Sequence, residues 1–137
     1  MKKAMNKILV LFLLAGMFVT SCSKSSDTPT AITRTSLVGK WTEQDSKKKL
    51  TFEVTFAIDS TSSSGMWIYN FGGAGQSVKA TVYLSGNSLV MPKDELFTNG
   101  WIVNGNGSIT SATGIDWPFT YLDLADLNSV HAVFTKK

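Results

Sequence analysis

The chain has one cysteine, one histidine and three prolines, and each scarcity excludes something. A single thiol, Cys22, closes no disulfide within the chain and supplies no thiolate zinc set. His131 alone cannot build a histidine metal site, which takes several imidazoles. No serine stands in the glycine setting of a nucleophile elbow. These absences argue against an enzyme, a resident metal and a cofactor. Charge of one sign is scarce as well. The 13 basic residues outnumber the 10 acidic ones to give a net charge of +3, and Lys2, Lys3 and Lys7 account for all of that surplus. Beyond them the chain is balanced, which leaves no electrostatic footprint for nucleic acid. Lys47, Lys48 and Lys49 form the remaining basic cluster, which reads as a solvated turn between two strand-like segments.

The three leading lysines precede an uncharged run from Ile8 to Val19, the layout of an export signal. That run falls short of the ~20 apolar residues a spanning helix needs. It ends in Val19, Thr20, Ser21 and Cys22, which resembles the lipobox of bacterial lipoproteins. The resemblance implies cleavage between Ser21 and Cys22, with diacylglycerol on the Cys22 thiol as a membrane anchor. Two acyl chains hold stably where one does not. In that family an aspartate after the cysteine retains the protein in the inner membrane. Ser23 stands there instead, so the resemblance implies the outer membrane, with the periplasmic or surface face left open. Ser23 to Thr33 is small, polar and broken by Pro29, a tether reaching ~35 Å when extended. The expected organisation is therefore a leader over 1–21, a lipidated tether over 22–34 and one domain over 35–137. About a hundred residues suffice for a core without crosslinks.

From Thr35 onward the rhythm is that of strands. Leu50, Phe52, Val54, Phe56 and Ile58 alternate with Thr51, Glu53, Thr55 and Ala57, a period of two. Val78, Ala80, Val82 and Leu84 repeat it. In Gly65 to Phe71 both faces carry large apolar groups, so that strand is expected to be covered on both sides. Gly86 and Asn87 sit between two apolar runs as a two-residue hairpin turn of type II′. The segments "STSSSG", "FGGAGQ" and "NGNG" read as further breaks, the second as a flexible hairpin tip, and "PKDELF" as a single helical turn with Pro92 near its start. Nothing else has helical spacing. Strands are expected near 38–43, 49–58, 65–71, 77–84, 88–92, 100–110, 115–124 and 129–136, with a bulge or an edge position at Pro118. Eight short antiparallel strands suggest an all-β up-and-down barrel, with a β-sandwich as the alternative.

Gly39, Lys40 and Trp41, opening the first strand, resemble the G-x-W signature of the lipocalin-like calycins. In that family the glycine lets the strand bend and the tryptophan closes the base of the barrel, so the resemblance assigns Gly39 and Trp41 those roles. It covers 35–137 and implies a lipocalin-like binding domain, here lipid-anchored. Those barrels often carry an arginine from a late strand over the tryptophan. The sole arginine here is Arg34, and Lys136 is left to serve.

An eight-stranded barrel is just wide enough to be filled by side chains or to hold one small ligand. Strands this short leave a shallow cup and favour a filled or nearly filled interior. A ligand would enter at the end opposite Trp41. Trp67, Trp101, Trp117 and Tyr83 are the candidate contacts, since flat rings stack on sugars or line an apolar mouth, although aromatics also build small cores. Glu53, Asp59, Asp94, Glu95, Asp116, Asp123 and Asp126 read as solvated acids, and His131 as an ordinary strand residue. Two functions remain. One is a monomeric, membrane-tethered module that binds a small apolar ligand or a glycan. The other is an interaction protein with a filled core, an inhibitor or accessory subunit that presents loops to a protein partner.

Overall fold

The computed structural model describes residues 30–137, so the leader, the cleavage site at Ser21 and Cys22, and the tether up to residue 29 lie outside the described residues. The folded body opens with a helical turn, α1 (Arg34–Leu37). Thr33 is its N-cap, in a capping box with Ser36. Thr33 and Arg34, placed on the tether by sequence, thus belong to this body, and the turn corrects the expectation of no further helix. Capping by two short hydroxyl side chains leaves no apolar periodicity to read. Arg34 Nη1 donates to the carbonyls of Asp59, Ser62 and Gly65 at 3.2, 2.7 and 3.1 Å, tying α1 to the turn between the second and third strands.

Nine strands follow: β1 (Gly39–Asp45), β2 (Thr51–Ile58), β3 (Gly65–Tyr69), β4 (Lys79–Ser85), β5 (Ser88–Val90), β6 (Glu95–Leu96), β7 (Ile102–Ser111), β8 (Gly114–Asp123) and β9 (Asp126–Lys136). Neighbours pair antiparallel, β1 pairs with β9, and β5 pairs with β7. The sheet therefore closes into an eight-stranded barrel, with β6 as a short extra strand on β7. Closure rules out the sandwich. The β4–β5 hairpin turns through Gly86 at φ +57, as its sequence requires. "PKDELF" is not helical: its Glu95 and Leu96 are β6, because their backbone finds partners at Val103 and Ile102.

Where the chain leaves β5 after Val90 and runs along β7, side chains take over from the main-chain ladder. Met91 N–H donates to Asn106 Oδ1 at 3.0 Å, and Asp94 N–H to Asn104 Oδ1 at 2.7 Å. Across the gap, Thr81 N–H on β4 donates to Glu95 Oε1 at 3.1 Å. "NGNG" is therefore strand interior rather than a break. Gly107 is there for space: a Cβ would stand 2.5 Å from the Trp117 ring. The bulge or edge position expected at Pro118 is not there: the β7–β8 register is the same at Gly105–Phe119 and Ser108–Asp116, and its shift falls between Ile109 and Ser111. Pro118 lies opposite His131 in a strand paired on both sides, its missing N–H costing only a local ladder bond.

The strand alternation packs one face inward. Trp41, Val54, Phe56, Met66, Ile68, Ala80, Val82, Leu89, Ile115, Trp117 and Phe134 are buried in a single core. Trp41 sits at the closed end. Its Nε1 donates to Leu37 O at 2.8 Å, and its ring lies 5.2 Å from that of Phe56. Lys136 Nζ is 5.9 Å from the Trp41 ring centroid and donates to Ser36 O at 2.5 Å. Gly39 has φ +124, a conformation other residues rarely adopt, where the chain swings from α1 into β1.

The largest departure from the sequence reading is "FGGAGQ". β3 stops at Tyr69, Asn70 turns left-handed at φ 63, and a 3-10 turn (Phe71–Gly73) drives Phe71 into the barrel instead of forming an exposed tip. Phe71 is buried against Phe97, Trp117, Phe119 and Phe134, with ring centroids 4.6 to 6.2 Å away. A loop rich in glycine is free to fold back, and a phenylalanine gains by doing so.

Candidate functional site

The plug leaves a depression of about 220 Å³ at the other end of β1 from Trp41, lined by Glu43, Asp45, Lys48, Leu50, Phe52, Gly72, Gly73, Trp101, Phe119, Tyr121 and Val130. Three elements shape it. Glu43 and Asp45 share the inward face of β1 with Trp41. The plug supplies the glycines. β8 and β9 run on past the end of β1 as a hairpin whose inner face carries Phe119, Tyr121 and Val130.

Trp101 stacks on Tyr121, with centroids 4.4 Å apart and planes 26° from parallel. Its ring makes one wall of the depression. The other proposed contacts lie elsewhere. Trp117 is wholly buried in the core, and its Nε1 has no hydrogen-bond partner among the described residues. Trp67 and Tyr83 share the opposite face of their strands from Met66 and Val82, so they lie on the outer wall. Lys79 Nζ lies 4.0 Å over the Trp67 ring, and Tyr83 is exposed. The expected cover over both faces of β3 is thus absent among the described residues. The four aromatic candidates do not form one site.

The polar residue at the floor is Glu43, which is 1% exposed. Its Oε2 accepts from Gly72 N–H at 2.8 Å and so pins the plug. Burial pushes its carboxyl up from 4.5 to about 8, against the lowering by the Gly72 bond, and the neighbouring Asp45 charge adds to the rise. Asp45 is itself buried, and its Oδ1 accepts from Lys47 and Lys48 N–H at 2.8 and 3.0 Å. Neither carboxyl is among the seven acids named from the sequence. The available signal was parity: Glu43 and Asp45 follow Trp41 at steps of two, so a buried tryptophan commits both to the interior.

Several of the other acids have local partners. Asp59 Oδ1 accepts from Thr61 N–H and Oγ1–H, Asp94 pairs with Asn104, and Asp116 meets His131 at 2.6 Å on the outside. Among the described residues no group of three or more His, Asp or Glu side chains converges as metal ligands do.

No family model matches the chain, and no curated protein sequence matches it. Among solved structures the chain is similar to a redesigned β-barrel, at 12% identity and a TM-score of 0.51, over 80% of this chain and 99% of that one. At that identity the likeness shows the fold alone, and the fold is an eight-stranded antiparallel barrel.

Proposed function

We propose that the protein is an envelope lipoprotein, anchored through Cys22 and most simply placed in the outer membrane, whose lipocalin-like barrel holds one small ligand in the depression at its open end. One observation carries the binding half: a concave site walled by Phe52, Trp101, Phe119, Tyr121 and Val130 has a nearly sealed carboxyl, Glu43, at its floor. Apolar walls with a few fixed polar groups are how small-molecule sites are built. The volume suits a compact molecule or a single sugar ring rather than a long acyl chain. Lys136 over Trp41 is where the calycin resemblance asks for a cation.

The filled interior favours the second reading, a partner-binding protein that presents its loops, and one titration separates the two. Tryptophan emission of the full chain is followed against a panel of small apolar compounds and sugars, beside the Trp101→Phe variant. A shift in the wild type that vanishes in the variant supports the depression as the site. No response to any compound moves the weight to a protein partner. The anchor is tested separately: mass spectrometry of the envelope protein should show an acylated Cys22 at the N-terminus, and an intact unmodified leader would refute it.

A further inference from the structure

We infer that the depression selects an organic cation, a small ammonium-bearing aromatic whose charged end lies against Glu43 and Asp45 and whose ring lies among Phe52, Trp101, Phe119 and Tyr121. This rests on the ligand-holding reading above and adds the chemical class. The argument starts from unmet valences. Glu43 is nine-tenths buried or more, yet only Oε2 is bonded; Oε1 has no partner among the described residues and is not among the sealed polar atoms, so it opens on the depression that the side chain lines. Asp45 has Oδ1 occupied by two backbone N–H groups, and Oδ2 is without a partner among the described residues. No salt bridge reaches either carboxyl among the described residues.

Two carboxyls two residues apart on one strand face repel when both ionise, and a cation between them relieves that repulsion. An anion or a neutral molecule does not. The walls agree with this choice, because aromatic faces attract cations through their quadrupole. Lys48, on the rim, does not supply the missing charge. It is an exposed side chain on a flexible stem, whereas the carboxyls are fixed in the strand.

Three probes of matched shape decide the matter: 2-phenylethylammonium, 2-phenylethanol and 3-phenylpropionate, titrated into the full chain in detergent with micelle blanks subtracted. The ammonium is expected to bind at least tenfold more tightly than the alcohol at about pH 9, and the propionate weakest. Its affinity should fall about tenfold per pH unit below about pH 8, as Glu43 takes up its proton. The other titratable groups facing Glu43 are Asp45 on its own strand, Lys48 of the turn and Tyr121 of β8. Loss of the slope in a Glu43→Gln variant assigns it among these groups.

Glu43→Gln should remove the slope and cut the preference for the ammonium to the part Asp45 supplies, and Asp45→Asn should weaken the ammonium while leaving the slope. If either variant fails to fold, the wild-type pH dependence still decides. Equal binding of ammonium and alcohol, or best binding of the propionate, overturns the cation and leaves the ligand-holding reading intact. Silence from all three probes and from the wider panel overturns both.

Discussion

Replacing Glu43 by glutamine keeps the side chain's size and its acceptor for the Gly72 N–H while deleting the titration. The consequence follows from linkage. In the folded barrel the carboxyl holds its proton up to about pH 8, whereas in the unfolded chain it releases it near 4.5. Between these values the unfolded state binds fewer protons, so wild-type stability falls as pH rises through the window and levels off above it. Each pH unit of that mismatch is worth about 1.4 kcal/mol, which puts the penalty on the order of 3 kcal/mol at neutral pH and about 5 on the alkaline plateau. The glutamine variant should match the wild type below about pH 4.5 and exceed it increasingly above. Urea unfolding followed by tryptophan emission at acidic, neutral and alkaline pH measures the difference directly. Because only the gap between the two proteins is read, other titrating groups cancel. Parallel curves for the two proteins, or a variant less stable at neutral pH, would refute the claim that the barrel holds a protonated Glu43.

Other substitutions test the packing. Phe71→Ala removes the plug's anchor and should cost ~3–5 kcal/mol in urea unfolding; a loss under ~1 kcal/mol would mean the plug merely rests in the barrel. Gly107→Ala sets a methyl group against the Trp117 ring and should cost ~1–3 kcal/mol, read as a lowered melting temperature. Trp67→Ala, on the outer wall, should cost no more than ~1 kcal/mol, the worth of a cross-strand contact; a loss like that of a core tryptophan would contradict the register of β3 and β4.

The wall of the barrel was largely legible in the sequence, because period-two alternation is a local signal and each strand carries it. Phe52, Val54 and Phe56 announce their inward face, and Gly86 announces the hairpin. β3 was harder. Met66 and Ile68 face in while Trp67 and Tyr69 face out, and alternation between two apolar sets does not say which set is inside. The plug was hidden for another reason: glycines around Phe71 permit both a loose tip and a fold-back, and only the space left by distant strands decides. The acidic floor is legible in the parity of β1, where Glu43 and Asp45 follow Trp41 at steps of two. β6 lay beyond reach, because its two residues owe their conformation to partners on β7.

The run from Met91 to Leu96 is tacked by side chains on both sides, to β7 by Asn104 and Asn106 and to β4 by Glu95. The strands flanking that run, β3 with β4 and β7 with β8, pair through their backbones. A cylinder fastened this way has a preferred line of rupture. Loosened by heat, it should unroll along that line first and expose Thr81 and its neighbours as a raw strand margin, the kind of margin on which another chain can add a strand. Those three polar residues therefore guard the protein's solubility as much as its shape.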